Sequence, residues 1–359
     1  MDIEREISRE QRERLLSVND IDCAIITGRA NMRYVSGFGG EGCVYLSAGR
    51  SVFITDSRYT EAAARSTSFD IERESASRKR WEILQQCIDA DNAKRVGYED
   101  REMLVSEFAM LRENITGVEF AALGGSVSEM RQVKKPFEIG ALRKAEAVGD
   151  KAFEAMLGRL KPGMTELEAA AELEYELRKA GGEGTSFDTI MASGINSSMP
   201  HAVPGRKVIE NGDFVTMDFG CMYGGYCSDM TRTVVIGKAS DWQKEIYSVV
   251  LEANLAVIEN ARPGMTGKEI DHIARKIIDD AGYGEYFGHS LGHGIGLEIH
   301  EEPNCSPNDN RKITAGMIES DEPGIYVPGK GGVRIEDMLY YTDTGLEVVS
   351  KSPKELIEL

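Results

Sequence analysis

Histidine is scarce in this chain, with five residues in 359, and the six cysteines stand apart without a single CxxC pair. That scarcity excludes zinc-finger and disulfide frameworks and makes reduced, mostly buried thiols the expectation. Long apolar runs are missing too: segments such as CAII (23–26) and TVVIG (233–237) fall far below the ~20 residues of a membrane-spanning helix. Basic runs are equally absent. Lys plus Arg number 42 against 60 for Asp plus Glu, a net charge of −18, so nucleic acid is not an expected partner. No stretch is of low complexity, and 41% hydrophobic with 28% charged residues is the balance of a globular chain. The start, MDIEREISREQRERLL, is charged and helical in pattern where a signal peptide would be apolar, which points to the cytoplasm and away from membranes.

The length fits about two domains. From Asp22 to about Val127, short β-branched segments (CAIIT, GCVYLSA, SVFITD, KRVGYE, VEFAAL) alternate with helical patterns such as RKRWEILQQCIDAD and REMLVSEFAMLREN. That alternation predicts an α/β domain with a mixed sheet. Between 128 and 145 basic residues gather, and Pro136 opens a helical pattern running to about Leu160. The boundary is placed there, giving domains over 1–130 and 131–359. Every chemically suggestive residue lies in the second.

That second part contains an echo. KPGMTELEAAAELEYELRKAG (161–181) and RPGMTGKEIDHIARKIIDDAG (262–282) match at seven positions with a constant offset of 101. Each copy supplies a Thr followed three residues later by Glu, the capping box of a helix start, and an Ala-Gly where a C-cap glycine belongs. Two well-capped helices would suffice to explain it. Seven identities in register favour a duplicated unit whose halves face each other across a pseudo-twofold axis, with a ligand cleft between them.

Asp218 and Asp229 flank a segment that runs into Gly224-Gly225 and back out, a β-hairpin signature. A turn centred on the glycines sets Asp218 opposite Thr231, two residues from Asp229, so both carboxylates point the same way. As a lone pair, two acids beside a turn are common. Three of the histidines, His289, His293 and His300, fall in one glycine-rich segment, and His201 lies in a proline-bounded one. Glycine on both sides of His293 suits close backbone approach and poorly suits a helical core. His272, inside the second echo helix, is assigned to surface or packing. Glu322 and Glu336 sit in short, β-rich segments. Together Asp218, Asp229, His293, Glu322 and Glu336 form a hard, oxygen-rich set suited to two divalent ions, manganese first, with cobalt or zinc as alternatives. Four converging carboxylates without cations would repel one another, so convergence implies metal.

At this point PHAVPGR (200–206), DFGCMYGGYCSDMTRT (218–233), GHSLGHGIGLEIHEEP (288–303), DEPGIY (321–326) and RIEDM (334–338) resemble the signature regions of the creatinase, aminopeptidase P and prolidase superfamily. The resemblance extends to the amino-terminal part, including DSRYTEAA (56–63). It implies a fold of mixed α/β and α+β class: a creatinase-like amino-terminal α/β domain followed by a pseudo-twofold pita-bread catalytic domain. It further implies that Asp218 holds one ion, that Asp229 and Glu336 bridge both, and that His293 and Glu322 hold the other. Glu322 would accept a proton from the attacking water. His201, His289 and His300 would stabilise charge or shuttle protons, and Tyr326 and Arg334 would contact substrate. Small peptides with proline second are the implied substrates, and a homodimer the implied assembly.

One departure bears on substrate length. Many prolidases carry, after the proline of the HEEP-like segment, an arginine that grips a dipeptide's carboxylate; this chain has Asn304. Asn cannot make that charge-assisted bidentate contact. The expectation is therefore an Xaa-Pro aminopeptidase, with an Xaa-Pro dipeptidase as the alternative. A catalytically silent peptide-binding relative and a metal-free amidinohydrolase are rivals, and the intact acid set speaks against both.

Overall fold

The computed structural model describes residues 5–359, so the first four positions of the expected helical start lie outside the described residues. The chain divides into two compact units, Met1–Arg131 and Gln132–Leu359.

In the first unit six strands form one mixed sheet: β1 (Cys23–Ile26), β2 (Cys43–Ser47), β3 (Ser51–Thr55), β4 (Asp70–Arg73), β5 (Arg95–Tyr98) and β6 (Glu119–Ala122), in the order β4-β3-β2-β1-β5-β6. The central strands β1 and β2 are buried along their whole length, as their apolar residues require. Strand β4 has no counterpart in the sequence reading. Its residues, DIER, are charged at an edge, where polar side chains keep the open strand from pairing further. Helices Arg80–Ala90 and Val105–Asn114 follow the expected amphipathic segments.

The second unit repeats one pattern twice. Helices Pro136–Leu157 and Glu166–Lys179 form the first pair, and Asp241–Asn260 and Gly267–Asp280 the second. Thr165 and Thr266 cap their helices identically, each accepting from the backbone of the Glu three residues on at 3.2 Å. Just before each cap, Gly163 donates to the Ile209 carbonyl at 2.9 Å and Gly264 to that of Ile313 at 2.7 Å. The first half continues into β7 (Ile190–Ser193), β8 (Phe214–Phe219), β9 (Met222–Tyr223), β10 (Tyr226–Cys227) and β11 (Met230–Val235). The second supplies β12 (Gly292–Gly294), β13 (Glu301–Cys305), β14 (Ile318–Asp321), β15 (Gly324–Val327), β16 (Gly331–Arg334), β17 (Asp337–Thr342) and β18 (Gly345–Val348). A last strand, β19 (Ile357–Glu358), pairs with β11. The sheets run β19-β11-β8-β7 and β13-β12-β14-β17-β18. Asp218 lies nine residues beyond Ile209, and Glu322 nine beyond Ile313, so the two acids occupy equivalent places in the two halves.

The unit has two large apolar cores, the second of which also takes in Phe214 and Val235 from β8 and β11. Phe153, Met156 and Leu173 pack with Val215, Met217 and Val234 in the first, and Ile246, Val250 and Ile270 with Ile325 and Leu339 in the second. Every such side chain contributes about 1.5–3 kcal/mol by leaving water.

Glu146 interrupts the apolar face of its helix and is wholly buried; Ser350 donates to one oxygen and the other, Oε2, has no partner. Burial, reinforced by the neighbouring Asp150, pushes its pKa up to about 8. Because the folded chain holds that proton up to about pH 8 while an unfolded glutamate loses it near 4.5, the stability it contributes is present at low pH. It is lost as pH rises across that window. Glu146→Gln is expected to raise the Tm by a few degrees at pH 9 and by less at pH 5, measured by thermal scans of both proteins.

Candidate metal centre

Two β-hairpins deliver the acids. Gly224 and Gly225 take φ values of 59° and 79°, both in the left-handed region that a two-residue hairpin turn demands. The register therefore passes unbroken from β9–β10 into β8–β11, with Thr231 opposite Asp218. In the other half Asp321 pairs with Asp337, so Glu322 and Glu336 emerge together from the end of β14 and the start of β17. The halves join where the Glu336 amide donates to the Thr231 carbonyl at 3.0 Å and the Thr231 hydroxyl to Glu336 Oε2 at 2.6 Å. Asp218, Asp229 and Glu336 are buried there with carboxylate oxygens all within 4.8 Å of one another.

His293 completes the group, its Nε2 standing 3.5 Å from an oxygen of Asp229 and 3.5 Å from one of Glu322. Its strand is wedged between β13 and β14. A Cβ on Gly292 would lie 1.9 Å from the Ser320 carbonyl oxygen, and one on Gly294 would lie 2.6 Å from that of Glu302. Only glycine permits that approach. Burial lowers the His293 pKa to about 4, leaving a neutral imidazole able to ligate.

The carboxylates are held at electrostatic cost. Burial first, then the charges of Glu336 and Asp218, raise the pKa of Asp229 well above the usual range. Burial and the charges of Glu322 and Asp218 do the same to Glu336. Glu322 is raised to about 7 by burial, with Arg334 opposing. The Arg334 guanidinium pairs with Asp218 and, among the described residues, is the one cation set against the four acids. A set of hard oxygen donors with this surplus of negative charge fits divalent cations. Asp218, Asp229, His293, Glu322 and Glu336 would hold them.

Above this floor opens a cavity of about 600 Å³, also lined by His201, His289, His300, Asn304 and Arg334. His289 Nδ1 faces the Ser290 carbonyl oxygen at 2.7 Å and its Nε2 faces the Tyr326 hydroxyl at 2.9 Å. Burial, then Arg334, lowers its pKa to about 4. The His300 ring stands edge-on to His293 at 4.4 Å. His201 is exposed on the wall, while His272 is exposed on its helix and takes no part. Tyr326, expected to contact substrate, is held by its hydroxyl between two other candidate residues. It is only 6% exposed and does not line the cavity; Arg334 donates to its hydroxyl at 2.7 Å, so it sits behind the wall and joins Arg334 to His289.

Sequence reasoning missed the supports. Thr231, read only as a register partner, also accepts from Arg334 Nε at 3.0 Å. Arg232 is wholly buried and donates to the carbonyls of Thr231 and Ser352 at 2.9 Å, to that of Pro353 at 3.0 Å and to Asp337 at 2.8 Å. Asn254 Nδ2 donates to both Asp321 and Asp337 at 3.0 Å. Polar residues at successive positions of an apolar strand, as in MTRT, were the available signal.

The family model for the creatinase/prolidase N-terminal domain matches residues 9–133, and that for metallopeptidase family M24 matches 140–343. The chain is 38% identical to an Xaa-Pro dipeptidase of Pyrococcus horikoshii over 342 residues, 94% of this chain and 95% of that one. Its structure resembles that of an Xaa-Pro dipeptidase from Bacillus anthracis with a TM-score of 0.94 at 44% identity, covering 98% of this chain and 99% of that one. It also resembles an X-Pro aminopeptidase from Thermotoga maritima, with a TM-score of 0.91 at 38% identity over 96% of this chain and 100% of that one. Matched along both units, the chain belongs to metallopeptidase family M24, in the creatinase and prolidase superfamily, and is a peptidase of divalent-metal type.

Proposed function

We propose that this metallopeptidase hydrolyses Xaa-Pro dipeptides. The observation that carries the reading is the buried floor of Asp218, Asp229 and Glu336, within 4.8 Å of one another beneath a cavity walled by histidines. Dipeptides are preferred here over the longer peptides expected from Asn304, because similar proteins from Pyrococcus horikoshii and Bacillus anthracis carry the name Xaa-Pro dipeptidase. A single uncharged residue at one rim position weighs less than likeness over the whole chain. Asn304 does line the cavity, and with the Thermotoga maritima neighbour it supports Xaa-Pro aminopeptidase activity as the second reading.

When bound by Asp218, Asp229, His293, Glu322 and Glu336, divalent cations would polarise the scissile carbonyl and lower the pKa of a water toward about 7, making hydroxide available near neutral pH. The chain's residues do the rest. Glu322, whose pKa is raised to about 7 in the ion-free protein, takes the water's proton and returns it to the departing prolyl nitrogen. His201 or His300 stabilises the developing oxyanion, and His289, its ring held by the Ser290 carbonyl and the Tyr326 hydroxyl, passes protons. A prolyl nitrogen has no hydrogen, and an attack centred on the carbonyl does not need one.

Manganese suits the donor set, since no cysteine lines the cavity. Six free, buried thiols support a reducing cytoplasmic setting. Among the described residues no helix is long and apolar enough to cross a membrane. The homodimer rests on family likeness, and a monomeric mass by light scattering overturns it. Leu-Pro is expected to be cleaved with manganese and to survive with a chelator, while Leu-Pro-Gly is cleaved at least tenfold more slowly. Equal rates on both substrates favour the aminopeptidase reading, and no cleavage of either overturns both.

A further inference from the structure

Besides the floor, the cavity lining draws on two stretches of chain: one carries His289, His293 and His300, and the other consists of residues 187–190 and 200–204, with His201 among them. The latter begins beside the metal floor, because Ile190 pairs directly with Asp218 across β7 and β8. Two residues earlier, about 7 Å along an extended backbone, stands Asp188. It lines the same cavity, is exposed, and makes no hydrogen bond or ion pair with any described residue. The acids of the floor face one another, His293 or Arg334, whereas this carboxylate faces open space.

From this placement, and resting on the Xaa-Pro reading, we propose that Asp188 is a specificity-determining residue that selects a cationic side chain, lysine or arginine, on the substrate's first residue. The charge pattern orients the peptide. Its free ammonium is drawn to the acidic floor beside Asp218, which brings the first residue up to Ile190 and the segment running back to Asp188. There Phe187, Val203 and Pro204 offer apolar surface to the methylenes of a long side chain, and Asp188 meets its charged head at the rim. The free ammonium is common to all substrates and stays nearer the floor, so it is not what Asp188 distinguishes.

The test compares kcat/KM for Arg-Pro, Lys-Pro, Leu-Pro and Glu-Pro on the manganese-loaded wild type, Asp188→Asn and Asp188→Lys. Asp188→Asn is expected to lower the values for Arg-Pro and Lys-Pro about fivefold to tenfold through KM, and to change Leu-Pro by less than twofold. Asp188→Lys is expected to invert the order in favour of Glu-Pro. Equal changes for all four substrates would mean that Asp188 serves the ammonium or the fold, and would overturn the proposal, as would no change in any. A wild type inactive on every Xaa-Pro substrate removes the underlying reading and this proposal with it. Activity on Leu-Pro with no dependence on the charge of the first residue defeats this proposal alone.

Discussion

Replacing Asp229 by asparagine is expected to abolish peptide hydrolysis while making the ion-free protein harder to melt. Asp229 is buried in the shared floor with Asp218 and Glu336, beside His293 and within the field of Glu322. An amide there loses the charge that holds divalent ions, and kcat should fall on the order of 10³-fold. The same change removes one repelling carboxylate from a group whose acids are raised by their neighbours. In chelator the variant should therefore gain on the order of 1–2 kcal/mol over wild type. Added manganese should raise the Tm of wild type far more than that of the variant. Equal manganese-induced shifts in the two proteins would remove Asp229 from the ligand set.

Arg334→Met should do the opposite to the ion-free protein. The guanidinium is buried against Asp218, Thr231 and Tyr326 and, among the described residues, is the one cation at the floor. Deleting it strands a buried carboxylate and two polar partners, which costs about 3–5 kcal/mol. Saturating manganese should recover a large part of that loss, because dications then neutralise what the arginine did. Chemical denaturation with and without manganese measures both numbers. A loss independent of metal would mean that the arginine acts by packing alone.

Local patterns in the sequence carried a good share of this architecture. The Gly224-Gly225 turn specified the register that sets Asp218 opposite Thr231, because a two-residue turn leaves no freedom to slip. The repeated Thr-x-x-Glu boxes marked both cap-bearing helices, since capping is a matter of neighbouring residues. What depended on distant chain segments was less visible. The seam bond from Glu336 to Thr231 joins residues 105 apart, and no local pattern announces it. Strand β4 hid because a charged edge reads as a loop. The family resemblance assigns Tyr326 a substrate contact, and its bonds to His289 and Arg334, made between separate segments, are not visible in the sequence. Substrate length was judged on Asn304 alone, a single rim residue, whereas the shape of the whole pocket decides which peptides fit.

Neither half of the second unit carries all five candidate ligands: Asp218 and Asp229 come from the first, and His293 on β12 with Glu322 and Glu336 beside β14 and β17 from the second. Ions bound there would act as rivets between the two halves, and a chain in which only one half has matured would have nowhere to seat them. Metal uptake is then expected to accompany the docking of the halves. Pulse-labelled hydrogen exchange should show amides of β8 and β17 gaining protection together, at the moment manganese is captured.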